Sequence, residues 1–375
     1  MSEFSSYRDL LRLTLWIAGT TGGVALLASL IGFLEPIWGR RSFNEKGPLS
    51  NPAAGLTRVS VLGCVVALLA SACAMAVRYM EVRHWPAQSM YEVVPLGVTA
   101  GFLSTLVLFQ VLGLHRLKGT GRAFSNLFMG LIMLGGVSIL AWVLRLDPTG
   151  RALPPALQSY WFSTHITAYM FGSFTFFIAA LAAWLHFSFR FWRGVLQPGE
   201  YGKPWRAQVW IPGLAVGLGL FGAPGMLLGP GVFLTAGAFS ALSQAGKGKM
   251  AWFDTWEEGA DRFTWLIFVV GFPFLTAGLV QGGLWAQDAW AIYWGWDSKE
   301  VSALISWLFY LIYLHLRYVA GWRGEKGMFL LLMGGVSVYI TFQLFGLLPA
   351  SQSSLHRYTD MEVVPAEGMM EPKAP

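Results

Sequence analysis

The sequence predicts an all-α fold, a polytopic transmembrane helix bundle of about eight spans plus a hydrophobic hairpin, about ten spans in all. Three observations carry that prediction. Of 375 residues, 55% are hydrophobic and only 12% charged, with a mean hydropathy of +0.53, a balance that suits lipid rather than water as the solvent. Several apolar runs reach the roughly 20 helical residues needed to cross a hydrocarbon core. A β-barrel would instead show segments of about 10 residues alternating in polarity, and the sequence has none.

Taken in order, spans are predicted at about 13–34, 57–80, 92–114, 123–146, 161–187, 264–285, 298–320 and 328–348. The apolar run after Arg12 exceeds a signal-peptide core, so the first span is read as a retained helix. The stretch 208–243 is too long to cross once, at about 54 Å as a single helix. Pro224 and Pro230 interrupt it among glycines, which favours a hairpin or a re-entrant loop. Charge supports the hairpin, because it places 17 of the 26 Lys and Arg in loops on one side, the cytoplasmic one by the positive-inside rule. Both termini then face outward. Residues 1–358 form a single integral membrane domain, and 359–375 a polar tail predicted to be disordered.

The net charge of +6 is spread over these short loops, which is topology control and not a nucleic-acid surface. Cys64 and Cys73 lie in one apolar run and form no Cys-x-x-Cys motif, which excludes a dithiol oxidoreductase and a chain that itself carries covalent haem. The predicted topology puts His84, His165 and His356 toward the outer side and His115, His186 and His315 toward the inner side. His115 and His186, beside Arg116 and Arg190, are read first as snorkelling interface residues and second as partners for His315 at similar depth.

The densest feature is the outer segment 285–300. Trp285, Trp290, Tyr293, Trp294 and Trp296 fall within 12 residues of one loop. An interfacial aromatic belt is one reading; a surface for a large, flat, apolar ligand with polar edges is the other. Asp297 and Glu300 have capping-box spacing ahead of the next helix, so Asp297 is a helix cap, a ligand contact, or both. Lys299 either pairs with an anionic ligand group or sits at the interface.

The run Trp290-x-x-Tyr-Trp-Gly-Trp-Asp297-Ser-Lys-Glu300, continued through Trp307 to His315-Leu-Arg317, resembles the tryptophan-rich "WWD" signature of the CcsA (ResC) family. Gly271–Gly278, Gly321–Gly324, Ser354–Tyr358 and Pro86-Ala-Gln-Ser-Met-Tyr91-Glu92 resemble further family segments. The resemblance implies haem delivery and presentation for covalent attachment to c-type apocytochromes on the outer face of a bacterial cytoplasmic or a thylakoid membrane. It implies non-covalent haem b in transit and a companion CcsB/ResB-like membrane subunit.

Haem held without covalent attachment needs axial ligands, and imidazole is a common one. The candidates on the outer side are His84, His165 and His356, and the resemblance implies that His165 and His356 are the pair flanking the signature. His84 is the weaker candidate. His315 lies 18 residues beyond Asp297 on one helix, about 27 Å deeper, too far to share that haem. The resemblance implies that it binds haem in transit at an inner site, with a partner histidine from the companion. No acid/base dyad or nucleophile stands in the outer loops, so no catalytic residue is assigned and the enzyme question stays open. A transporter of another small solute, or a structural subunit with an aromatic belt, are the rival readings.

Overall fold

Helix breakers and caps divide the apolar chain into nine helices among the residues that a computed structural model describes, 6–34, 52–150, 152–197, 228–245 and 252–344. They are α1 (Tyr7–Leu34), α2 (Pro52–Val82), α3 (Met90–Val111), α4 (Gly119–Val143), α5 (Tyr160–Leu196), α6 (Leu228–Ala245), α7 (Trp252–Trp290), α8 (Ser298–Val319) and α9 (Glu325–Tyr339). The last continues into a π-helical turn at Ile340–Leu344. All of these but α6 are long and apolar enough to cross a membrane. The predicted helical membrane bundle is what the chain forms, and the eight predicted spans fall on these eight helices.

The hairpin expected over 208–243 is met only in its second half, because 208–227 lie outside the described residues. That half is one helix, α6, packed on α5. Pro230 does not interrupt it. It sits in the first turn, where the helix does not use the missing N–H.

α5 is the axis of the bundle, packed against α3, α6, α7 and α9. Its contact with α7 is close because a glycine on each helix admits the backbone of the other. A Cβ added at Gly172 would stand 2.7 Å from the backbone nitrogen of Leu275, and one at Gly278 would stand 2.9 Å from the backbone of Tyr169. Two helices meeting this closely through small residues is a common solution in lipid, where apolar bulk brings no extra driving force. The outward faces stay apolar, as at Trp16, Leu62 and Leu69.

Polar contacts fix which helix ends share a side. Tyr7 at the start of α1 donates its N–H to Glu81 and its hydroxyl to the Tyr91 carbonyl, both at 3.0 Å, joining α1, α2 and α3 at one end. At the opposite end Asp261 pairs with Arg317 at 2.8 Å and accepts the Gly324 N–H, and Arg190 pairs with Glu325 at 3.0 Å. The end of α5 and the start of α7 therefore lie on one side. His186 is fully buried at this end, 3.4 Å from Glu325. The interface reading of His186 is thereby corrected, since the carboxylate on α9 supplies a polar partner inside the bundle. Arg116 donates its Nε–H to His115 Nε2 at 3.1 Å.

Candidate functional site

At the end marked by Tyr7 and Tyr91, the loops before α3 and α5, the end of α7, the start of α8 and the end of α9 enclose a cavity of about 550 Å³. That volume lies within the range of small-molecule sites, about 300–1,000 Å³. Its wall is mostly apolar or aromatic, with a few polar groups that include His165, Tyr91, Tyr169 and Lys299.

His165 stands in the second turn of α5, half-buried. Its Nδ1 is 2.6 Å from the Gly278 carbonyl of α7. A carbonyl only accepts, so Nδ1 carries the proton, and in the neutral ring Nε2 carries the lone pair that a metal uses. The ring lies on the indole of Trp285, with centroids 5.8 Å apart and planes 20° apart. Gly282 makes room for it, since a Cβ there would meet the ring at 2.9 Å. Trp285 is itself buried and fixed, donating Nε1–H to the Ala156 carbonyl at 2.7 Å. An imidazole backed by a fixed indole and aimed by a main-chain carbonyl is positioned before any ligand arrives.

The tryptophan segment divides into parts. Trp285, Trp294 and Lys299 line the cavity with His165. Trp290 packs behind Trp285 at 5.0 Å. Tyr293 lies against Gly283, its hydroxyl 3.4 Å from the Val280 carbonyl. Trp296 points outward and is 72% exposed. Asp297 accepts the Lys299 N–H at 3.1 Å, while Glu300 accepts the N–H groups of Asp297 at 3.1 Å and Gly295 at 2.9 Å. The capping box expected from spacing is present.

Other predicted residues stand elsewhere. His84 is in the loop before α3, its Nδ1 3.0 Å from the Trp85 carbonyl, and is not part of the cavity wall. His315 is exposed on α8, near the opposite end. His356 lies outside the described residues, but Thr341 and Phe342, at the end of α9, are in the cavity wall. The sequence reading assigned no role to Ser89, Tyr91 or Tyr169. Tyr169 follows His165 by one helical turn, a spacing that brings it to the same wall. Ser89 and Tyr91 belong to the Pro86–Glu92 motif.

This is a membrane helix bundle with an aromatic, histidine-bearing cavity at one end, and comparison with known proteins gives it a family. The family model described as "Cytochrome C assembly protein" matches residues 90–350. The cytochrome c biogenesis protein CcsA of Synechococcus elongatus is 27% identical over 314 residues, covering 81% of this chain and 88% of that protein. The CcsA of Thermosynechococcus vestitus is 28% identical over 362 residues, covering 93% and 98%. That of Gloeobacter violaceus is 28% identical over 312 residues, covering 77% and 86%. The chain belongs to the cytochrome c assembly protein family and is an integral membrane protein of cytochrome c biogenesis. That role brings it together with haem, apocytochrome and the lipid bilayer.

Proposed function

We propose that the cavity holds haem b non-covalently on the outer face of the membrane and presents it to c-type apocytochromes. One observation carries this reading: His165 directs a pre-set imidazole into a cavity walled by Trp285 and Trp294. Indoles and apolar side chains suit the faces of a macrocycle, and the imidazole suits its iron.

His356 is the second axial ligand in this reading. It follows Phe342, a wall residue, by fourteen positions, a distance the chain spans easily. The protein's contribution is to hold and orient haem. The apocytochrome's cysteine thiols add to the haem vinyl groups to form thioethers, and its histidine takes over one axial position. Asp297 supports the site by starting α8 at the cavity rim.

His315 serves haem in transit at an inner site, with the other ligand from a CcsB/ResB-like companion. The support is its placement: an exposed imidazole on the same face of α8 as the exposed Ile305 and Ile312. An ionisable group in a span usually finds a partner, and here that partner comes from another chain.

The test uses the full chain purified in detergent, alone and with its companion. Wild type is expected to carry a Soret band and to support haem attachment to an added apocytochrome. The His165→Ala, His356→Ala double variant loses haem attachment and, in the chain purified alone, the Soret band, yet still elutes as a folded species. A double variant with an unchanged Soret band overturns the reading.

A further inference from the structure

The Pro86–Glu92 segment has no role in the account above, yet it forms one wall of the cavity. Ser89 is the N-cap of α3, with extended backbone (φ −116°, ψ 162°), but its hydroxyl does not cap the helix. Its Oγ is buried and makes no hydrogen bond. Tyr91, one residue into the helix, is 2% exposed, and its hydroxyl is likewise buried without a hydrogen-bond partner. Ser89, Met90 and Tyr91 all line the cavity. The first turn of a 22-residue helix adds N–H groups that the helix itself leaves unsatisfied, and the positive end of its dipole.

Most of the charged groups beside this turn hold partners, except that Nη2 of Arg78 is buried without one and is a further donor there. Glu92 accepts the Gln88 N–H at 3.0 Å and the Arg78 Nε–H at 2.9 Å. Arg78 also reaches Glu81, and its guanidinium lies 5.6 Å from the centre of the Tyr91 ring. A cation over a phenol ring polarises it and makes its O–H a better donor. Of the acids in the cavity wall, Asp147 accepts from Thr149 and Glu300 from the α8 turn. Buried hydroxyls without partners destabilise the fold unless a ligand or water satisfies them. Donors clustered at a helix N-terminus are suited to an anion with oxygen acceptors.

We infer that the N-terminal turn of α3, with the hydroxyls of Ser89 and Tyr91, is the receptor for a carboxylate of the macrocycle that His165 ligates. This rests on the haem reading of the cavity and goes beyond it. It sets the in-plane orientation of the ring, with one acidic edge against α3. Lys299, the cavity's ammonium group, is the competing receptor, and the test separates the two.

The full chain in nanodiscs is titrated with haem and with haem dimethyl ester, which has the same ring and iron but no ionised carboxylates. Wild type is expected to prefer haem. The Ser89→Ala, Tyr91→Phe variant should lose roughly tenfold or more in haem affinity, the usual worth of a hydrogen bond to a charged group. Its affinity for the ester should stay within about twofold, and its Soret position should not change, because His165 is untouched. Tyr91→Phe alone, which keeps the ring, carries the test if the double variant fails to assemble. Equal loss for both probes, no loss for either, or a preference that disappears only in Lys299→Met overturns the proposal. His165→Ala is the separate arm: an unchanged spectrum for both probes there overturns the haem reading itself.

Discussion

His165 shows how a single side chain acquires a function from its neighbours. Its tautomer is set by Gly278, its plane by Trp285, and its space by Gly282. Asp297 is the opposite case, a signature residue whose visible work is local. The capping box makes a specific expectation. Asn caps a helix about as well as Asp, whereas removing a cap costs about 0.5–2 kcal/mol. Asp297→Asn should therefore unfold thermally close to wild type and retain haem, and Asp297→Ala should unfold earlier. If Asn loses haem as fully as Ala while both remain folded, the carboxylate charge touches the ligand directly. At this scale the sequence made the iron-binding candidates legible, because histidine is rare in apolar spans and the motif order points to His165. Tyr169, Ser89 and Tyr91 were not legible. A serine in a membrane helix normally back-bonds to its own turn and a tyrosine reaches to a neighbouring element, so only packing shows which hydroxyls do neither.

Among the helices, the pairing of α5 with α7 does most to build the site. Gly172 and Gly278 let the two backbones approach, and the Gly278 carbonyl reaches His165 only because they do. Gly172→Leu would place a side chain against the Leu275 backbone. Overpacking of this kind typically costs about 1–3 kcal/mol, and separating the helices would also release His165. Lower thermal stability together with weaker haem retention is the expected result; a variant that retains both would mean that this contact is not what aims the imidazole. α8 reverses the usual pattern of a soluble helix. Ser302, Ser306, Tyr310 and Tyr313 face inward and Ile305, Leu308 and Ile312 outward. Span positions were legible because an apolar stretch of that length has few alternatives. The segment 208–243 was less so, since a proline in a first turn and one in a helix interior look alike in sequence.

Across the whole molecule, the tryptophan segment, the N-terminal turn of α3 and the start of α1 gather at one end, and the Arg317–Asp261 and Arg190–Glu325 pairs at the other. In the proposed function the cavity end faces outward, as the positive-inside rule favours. This assignment is open to labelling. Single cysteines at Tyr160, which is 73% exposed at the cavity end, and at Tyr318, 72% exposed near the other, are placed in a chain with Cys64 and Cys73 replaced by Ser. A membrane-impermeant maleimide applied to intact cells should label the first and not the second. The reverse pattern would invert the topology and move haem presentation to the wrong side for the proposed role.

In the proposed function the His165 imidazole ligates haem iron in the cavity. This ligation is tested most directly by the visible and resonance Raman spectra of the purified full chain as His165→Gly, with and without added imidazole. The variant is expected to lose the wild-type ligation signature and to regain it when imidazole fills the space left by the side chain. A wild-type signature that persists in the variant without imidazole would contradict it.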